Sequence, residues 1–131
     1  MLVMACGLAA KSASALGLYE LLGQAALAYE QTSWRSGLFS SDPLPVRLLE
    51  EALCQVPQTE PALRARLSGA LGRALLYANA EAEARVQVTR AIAMARQVGD
   101  PAVLARNISH LFNFYWGPRA PRSCFATPPT W

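Results

Sequence analysis

This sequence predicts an all-α fold, an antiparallel helix-pair superhelix (an α-solenoid) of about five or six helices, and three observations lead there. Alanine and leucine dominate a composition that is 53% hydrophobic, while β-branched residues are scarce, a mix that favours helix over strand. Apolar residues recur at spacings of three and four in one segment after another. The chain also repeats itself: Glu60-Pro61-Ala62-Leu63-Arg64-Ala65-Arg66 returns forty residues later as Asp100-Pro101-Ala102-Val103-Leu104-Ala105-Arg106. Each copy places an acidic residue at an N-cap, proline at the first helical position, and helix-forming Ala, Leu and Arg after it. Self-similarity at a period of about 20 to 50 residues marks stacked structural units.

The elements follow in order. The region from Leu2 to Ser33 is poor in charge and breaks near Gly17, which predicts a short helix and then one from Leu18 through Tyr29 to about Trp34. Gly37, Ser40, Ser41, Asp42, Pro43 and Pro45 form a cluster of breakers, a loop that ends in a helix start. Val46 to Val56 has Leu48, Leu49, Ala52, Leu53 and Val56 on one face, and Pro57 stops it. From Pro61 to Ala78 the apolar stripe is Leu63, Leu67, Ala70, Leu71, Ala74 and Leu75, with Arg64, Arg66 and Arg73 mostly off that face. Asn79 is a turn or C-cap residue. Ala84, Val88, Ala91, Ala95 and Val98 then recur at four and three, and Gly99 closes that helix. The last helix carries Leu104, Ile108, Leu111, Phe112 and Tyr115 and ends at Gly117-Pro118. The helical repeat region is therefore 1–118, and 119–131 reads as a disordered Pro-rich tail.

Composition narrows the function classes. Of the twelve basic residues, eleven are arginines and one is Lys11, and the net charge is only +3. The arginines are spread along the chain rather than gathered in one run, so direct contact with nucleic acid is not the first reading. Cys6, Cys54 and Cys124 are odd in number and form no C-x-x-C pair, so neither a disulfide framework nor a zinc ribbon is indicated. The apolar start lacks the positive n-region of a signal peptide, and no stretch approaches the ~20 apolar residues of a membrane helix. A cytoplasmic protein without membrane contact is expected. His110 is the lone histidine, which removes metal sites with paired histidines. Cys54 reads as a small core residue. Glu50 and Glu51 are adjacent and diverge on a helix; Glu81 and Glu83 suit a helix first turn. No catalytic, cofactor-binding or metal-binding residue is assigned, and a non-enzyme is predicted.

Several of these segments resemble a known family. Arg47-Leu48-Leu49-Glu50-Glu51-Ala52-Leu53, the run from Glu60 to Leu67, and Ala93-Met94-Ala95-Arg96-Gln97-Val98-Gly99-Asp100-Pro101-Ala102 resemble the tetratricopeptide-like helical arm of large actinobacterial ATP-dependent transcriptional regulators of the LuxR type. The stretch Glu20 to Glu30, with Trp34-Arg35 after it, is similar to the segment that precedes this repeat in that family. The resemblance covers about Gly17 to Pro118. Against the general tetratricopeptide pattern, Leu71-Gly72 matches the Leu-Gly pair of the first helix, and Ala84, Val88 and Ala91 match the small, large and small positions of the second. Ser68 stands where the early tryptophan would be, and the terminal proline is delayed to Pro101. What the resemblance implies is an arm that takes an inducer or inhibitory partner on its concave face and signals by altered packing. With no G-x-x-x-x-G-K-[ST] loop present to carry the ATPase function, and with the resemblance fading at Gly117-Pro118, it also implies a fragment, a truncated gene product, or a chain whose last residues derive from a different reading frame.

Candidate partner-binding residues complete the reading. Arg66 and Arg73 lie seven residues apart on one helix face, and Arg85 with Arg90 or Arg96 extends a basic surface across the next helix, a surface suited to acidic partners. Phe112, Phe114, Tyr115 and Trp116 put four aromatics in five positions, which cannot all face one side of a helix. Their expected neighbour is the next repeat in a longer regulator and, in an isolated chain, the tail, a second copy of the chain, or nothing. The predicted function is a non-catalytic protein-interaction and signalling module in transcription regulation. The alternative is a nucleic-acid-binding helical domain that uses its surface arginines.

Overall fold

Helix starts and stops in this chain are set by local chemistry, and five helices follow from them among the described residues. The computed structural model describes residues 6–9, 11, 18–35 and 43–116, with 111–116 described through their backbone alone. We number the helices α1 (Tyr19–Arg35), α2 (Leu44–Gln55), α3 (Pro61–Tyr77), α4 (Glu81–Val98) and α5 (Pro101–Trp116); residues 6–9 form a further helical turn. No strand occurs among the described residues. The fold is all-α, as predicted. The tail 119–131 and the break at Gly17 lie outside the described residues.

Pro61 and Pro101 each open a helix, where the missing N–H costs no hydrogen bond and the fixed φ suits the first turn. Their acidic neighbours differ. The Asp100 carboxylate accepts a 2.9 Å hydrogen bond from the Ala102 backbone N–H, whereas Glu60 makes no side-chain cap. The extra methylene of glutamate carries its carboxylate past the N2 and N3 amides that aspartate reaches. The α3–α4 turn is a Schellman motif. The Ala80 N–H donates to Leu75 O at 2.9 Å and the Asn79 N–H to Leu76 O at 3.2 Å, with Asn79 left-handed at φ 68°. Gly99 closes α4 at φ 78°, a conformation that glycine adopts without strain. Arg64 closes α2 from outside, donating from one guanidinium nitrogen to Leu53 O at 2.8 Å and Val56 O at 2.6 Å.

Packing alternates. Consecutive helices pair from α1 to α5, and α1 also packs on α3, and α3 on α5. The α3–α4 hairpin is the most intimate, because a Cβ at Gly72 would overlap Val88 Cγ2 and crowd the Ala84 backbone carbonyl. Leu71, Leu75, Val88 and Ala91 are buried there as expected, and Ile92 is half-buried. α3 is buried on almost every side rather than along one stripe: Ala65, Ser68, Gly69 and Gly72 are inside with the leucines. A helix flanked by four others exposes little, and its small residues let those neighbours approach.

Two expectations change. The inward face of α5 is Val103, Asn107 and His110, while Leu104 is half-buried and Ile108 is 36% exposed. The predicted stripe is therefore off by one position, about 100° of helix. Asn107 is what turns the helix, because its amide donates to Ala65 O and Ala91 O, both at 3.1 Å. Cys54 is exposed rather than in the core.

Candidate partner-binding site

The α1, α3 and α5 helices all begin at one end of the molecule, since residues from their caps and first two turns line one depression together: Glu20 and Gln24 at α1, Glu60, Leu63 and Arg66 at α3, and Asp100, Val103 and Arg106 at α5. These three helices are thus parallel and side by side. The space between them is a trough made of two adjoining depressions of about 440 and 400 Å3, which share Gln24, Arg66 and Arg106. Carboxylates mark its upper end, where each helix starts. This is the end at which a helix dipole favours negative charge. The lower depression is lined by Gln31 and Glu30 of α1, Arg73 of α3, and Ser109 and His110 of α5, besides the shared residues.

Three guanidiniums line this trough, those of Arg66, Arg73 and Arg106, and they are in different states. Arg73 is held by Glu30 in a bidentate pair, with Nε and one terminal nitrogen each 2.8 Å from a carboxylate oxygen. Its charged end also lies 4.5 Å from the ring centre of Trp34. Both side chains are withdrawn from water, at 13% exposure for Arg73 and 2% for Glu30. Burial pushes the Glu30 carboxyl above its ordinary range, and the hydrogen bonds and charge of Arg73 pull it part of the way back. Arg66, by contrast, is half-buried with neither an ion pair nor a side-chain hydrogen bond among the described residues. Burial and then the like charge of Arg106 push its guanidinium pKa down. His110 is buried next to this cluster. Burial, Arg73 and Arg106 together lower its pKa to about 3, so the imidazole is neutral at pH 7.

The sequence-predicted residues divide among these surroundings. Arg66 and Arg73 do share a face, and both line the trough. Arg73 is nonetheless a structural partner of Glu30, not an open contact. Arg85 is exposed on α4, where it pairs with Glu81 at 3.0 Å across one helical turn, and it does not line the trough. The basic surface does not continue from α3 onto α4, because the neighbour of α3 on this side is α5, two helices on. The residue beside Arg66 is therefore Arg106. Sequence reasoning missed Arg106 and Gln24 as site residues, although the forty-residue echo holds the signal: Arg66 and Arg106 close its two copies. Phe112, Phe114, Tyr115 and Trp116 belong to α5, and their side chains lie outside the described residues. Cys54 sits on α2, which is not among the helices packed against α5, the bearer of His110.

Among the described residues no group of three or more His, Cys, Asp or Glu side chains is placed to hold a metal ion, and no helix is long and apolar enough to cross a membrane. What the trough offers chemically is carboxylate acceptors at its upper end and, below them, hydrogen-bond donors, two of them cationic and without a side-chain partner among the described residues. No protein-family model, curated protein or solved structure matches this chain.

Proposed function

We propose that the chain is a non-catalytic interaction module, a tetratricopeptide-like stack whose α1–α3–α5 trough takes a segment of a partner protein. The observation that carries this reading is the trough itself, an open channel along three parallel helices. Exposed Gln24, Ala28 and Gln31 on one side and Ala102 and Ser109 on the other border it. Equivalent residues of the two echo copies, Glu60 with Asp100 and Arg66 with Arg106, fall at matching places along it, as a stacked repeat requires. Together with the resemblance of the sequence to the arm of LuxR-type ATP-dependent regulators, this makes a role in the signal-sensing part of a transcriptional regulator the reading of choice. There, a bound partner would bias the packing of one helix pair on the next.

Selection of a random peptide library on the folded protein tests the trough. Enriched peptides should lose binding when the channel is filled by Ala28→Trp or Gln31→Trp, and keep it when Thr89→Trp adds the same bulk on exposed α4. Peptides that bind the filled variants as well as wild type would overturn the proposal, as would a selection that enriches nothing.

A further inference from the structure

The geometry points to Arg66 and Arg106 as a paired receptor for a carboxylate carried by a peptide segment of a partner, seated in the lower depression of the trough. This rests on the trough reading above and adds the chemistry of what the trough takes.

Repetition puts the two residues together. They are forty positions apart in a forty-residue echo, on adjacent parallel helices, and both line both depressions. Of the three guanidiniums that line the trough, theirs are also the uncommitted ones among the described residues. Arg64 is spent on the carbonyls that end α2, Arg73 on Glu30 and Arg85 on Glu81. Neither Arg66 nor Arg106 has a side-chain partner among the described residues.

The local charge balance decides the sign of the ligand. Three guanidiniums, those of Arg66, Arg73 and Arg106, face the single carboxylate of Glu30 in the lower depression, and the buried His110 is neutral, which leaves two positive charges unbalanced. Bringing two like charges together costs free energy that an anion between them returns, and each planar fork can bind a carboxylate through two hydrogen bonds. At the upper end Glu20, Glu60 and Asp100 repel an anion, which fixes the acidic residue of the ligand in the lower half. A small molecule would be poorly enclosed here, since Arg106 and Ser109 of α5 and Gln24, Ala28 and Gln31 of α1 are exposed. An extended surface along three helices suits a chain segment better.

The test uses two fluorescent peptides, alanine–glutamine segments that differ only in a central Glu-Glu or Gln-Gln pair, titrated onto the full chain by anisotropy at low salt. The Glu-Glu peptide should bind at least about tenfold more tightly, and Arg66→Gln and Arg106→Gln should each remove about tenfold of that affinity. Arg85→Gln should change nothing, and circular dichroism should show that all variants remain helical. Equal binding of the two peptides, or an equal loss with Arg85→Gln, would overturn the inference. If a single-stranded oligonucleotide binds more tightly than the Glu-Glu peptide and loses affinity with Arg66→Gln, the receptor serves phosphate backbones and the peptide assignment falls. If the arginine variants bind peptides from the library selection normally while Ala28→Trp does not, the carboxylate receptor fails and the trough reading survives.

Discussion

Two seams join the parallel helices of this protein, and they are closed by opposite means. At the α1–α3 seam the polar contact is a buried ion pair, Glu30 with Arg73, flanked by Trp34 and by Leu63 packed onto Gly23. At the α3–α5 seam it is a neutral amide: Asn107, fully buried, donates to the carbonyls of Ala65 and Ala91 and so ties α5 to α3 and α4 at once. Where the first seam has supplied a carboxylate for its arginine, the second has supplied none for Arg66 and Arg106. A joint locked by a matched pair is structural. One locked by an amide can leave its charges for a ligand.

The largest effect should follow from unmatching the first seam. Glu30→Ala leaves Arg73 buried without a counter-charge, and should cost roughly 3 to 5 kcal/mol in denaturant unfolding, the usual range for removing one member of a buried pair. Replacing both, as Glu30→Leu with Arg73→Met, should cost much less than the single change, because a desolvated pair contributes little beyond what matched apolar groups would. A double variant as unstable as Glu30→Ala would mean that the pair itself, not the orphaned charge, holds the seam.

The second seam should fail by acid instead. The His110 pKa falls from 6.5 to about 3 on folding, so between those values the unfolded chain binds the proton and the folded one does not. Stability therefore drops as pH falls through this window, by roughly 3 kcal/mol between pH 7.5 and pH 4. Glu30, with its pKa raised, works the other way: the folded state holds its proton more tightly, and stability is lost as pH rises above the ordinary carboxylate range. Comparing wild type with His110→Asn isolates the histidine. The gap between their unfolding free energies should narrow or reverse as the solution is acidified, and a gap independent of pH would place the imidazole in contact with water.

Asn107 and Gly69 make the second seam a matter of shape. A Cβ at Gly69 would overlap Asn107 Oδ1 and press on the His110 ring at 3.1 Å. Gly69→Ala should cost about 1 to 3 kcal/mol, as overpacking does, and about half of that or less in an Asn107→Ala background, where the obstructing amide is gone. Thermal unfolding of the four proteins of this cycle measures the coupling. Independent, additive losses would show that Gly69 is needed for α3 itself and not for the seam.

How far the sequence reveals these seams depends on the range of the forces involved. Helix ends were readable because Pro61, Pro101, Asn79 and Gly99 act on their own backbone or on the next residues. The α3–α4 interface was readable too, since Gly72, Ala84 and Val88 are small and large residues at helical spacing within one hairpin. The seams were not. Glu30 and Arg73 meet across 43 residues, and Asn107 reaches Ala65 across 42. Periodicity scores polar residues as outward, so it put Ile108 inside and Asn107 outside. It has no means of knowing that two helix carbonyls wait for an amide. The trough suffered similarly: the eye follows Arg66 to Arg85 on the next helix, while the fold sends it to Arg106 on the helix after that. Only the repeat period, read as a statement about space, points there.

The smallest expected effect separates the two copies of the echo at their first residues. Asp100 caps α5 through the Ala102 N–H, and Glu60 at the same place makes no side-chain cap to α3. Asp100→Ala should therefore cost about 1 kcal/mol, the typical loss of an N-cap, and Glu60→Ala only a few tenths. The reciprocal exchange is more telling. Glu60→Asp should gain up to about 0.5 kcal/mol if the shorter side chain turns onto the Ala62 or Leu63 N–H, while Asp100→Glu should lose nearly as much as Asp100→Ala. Both changes keep the negative charge at the helix start, so the helix dipole cannot account for the difference. Equal responses at the two sites would mean that charge rather than capping geometry stabilises these starts, and that the two copies are energetically alike where they differ in contact.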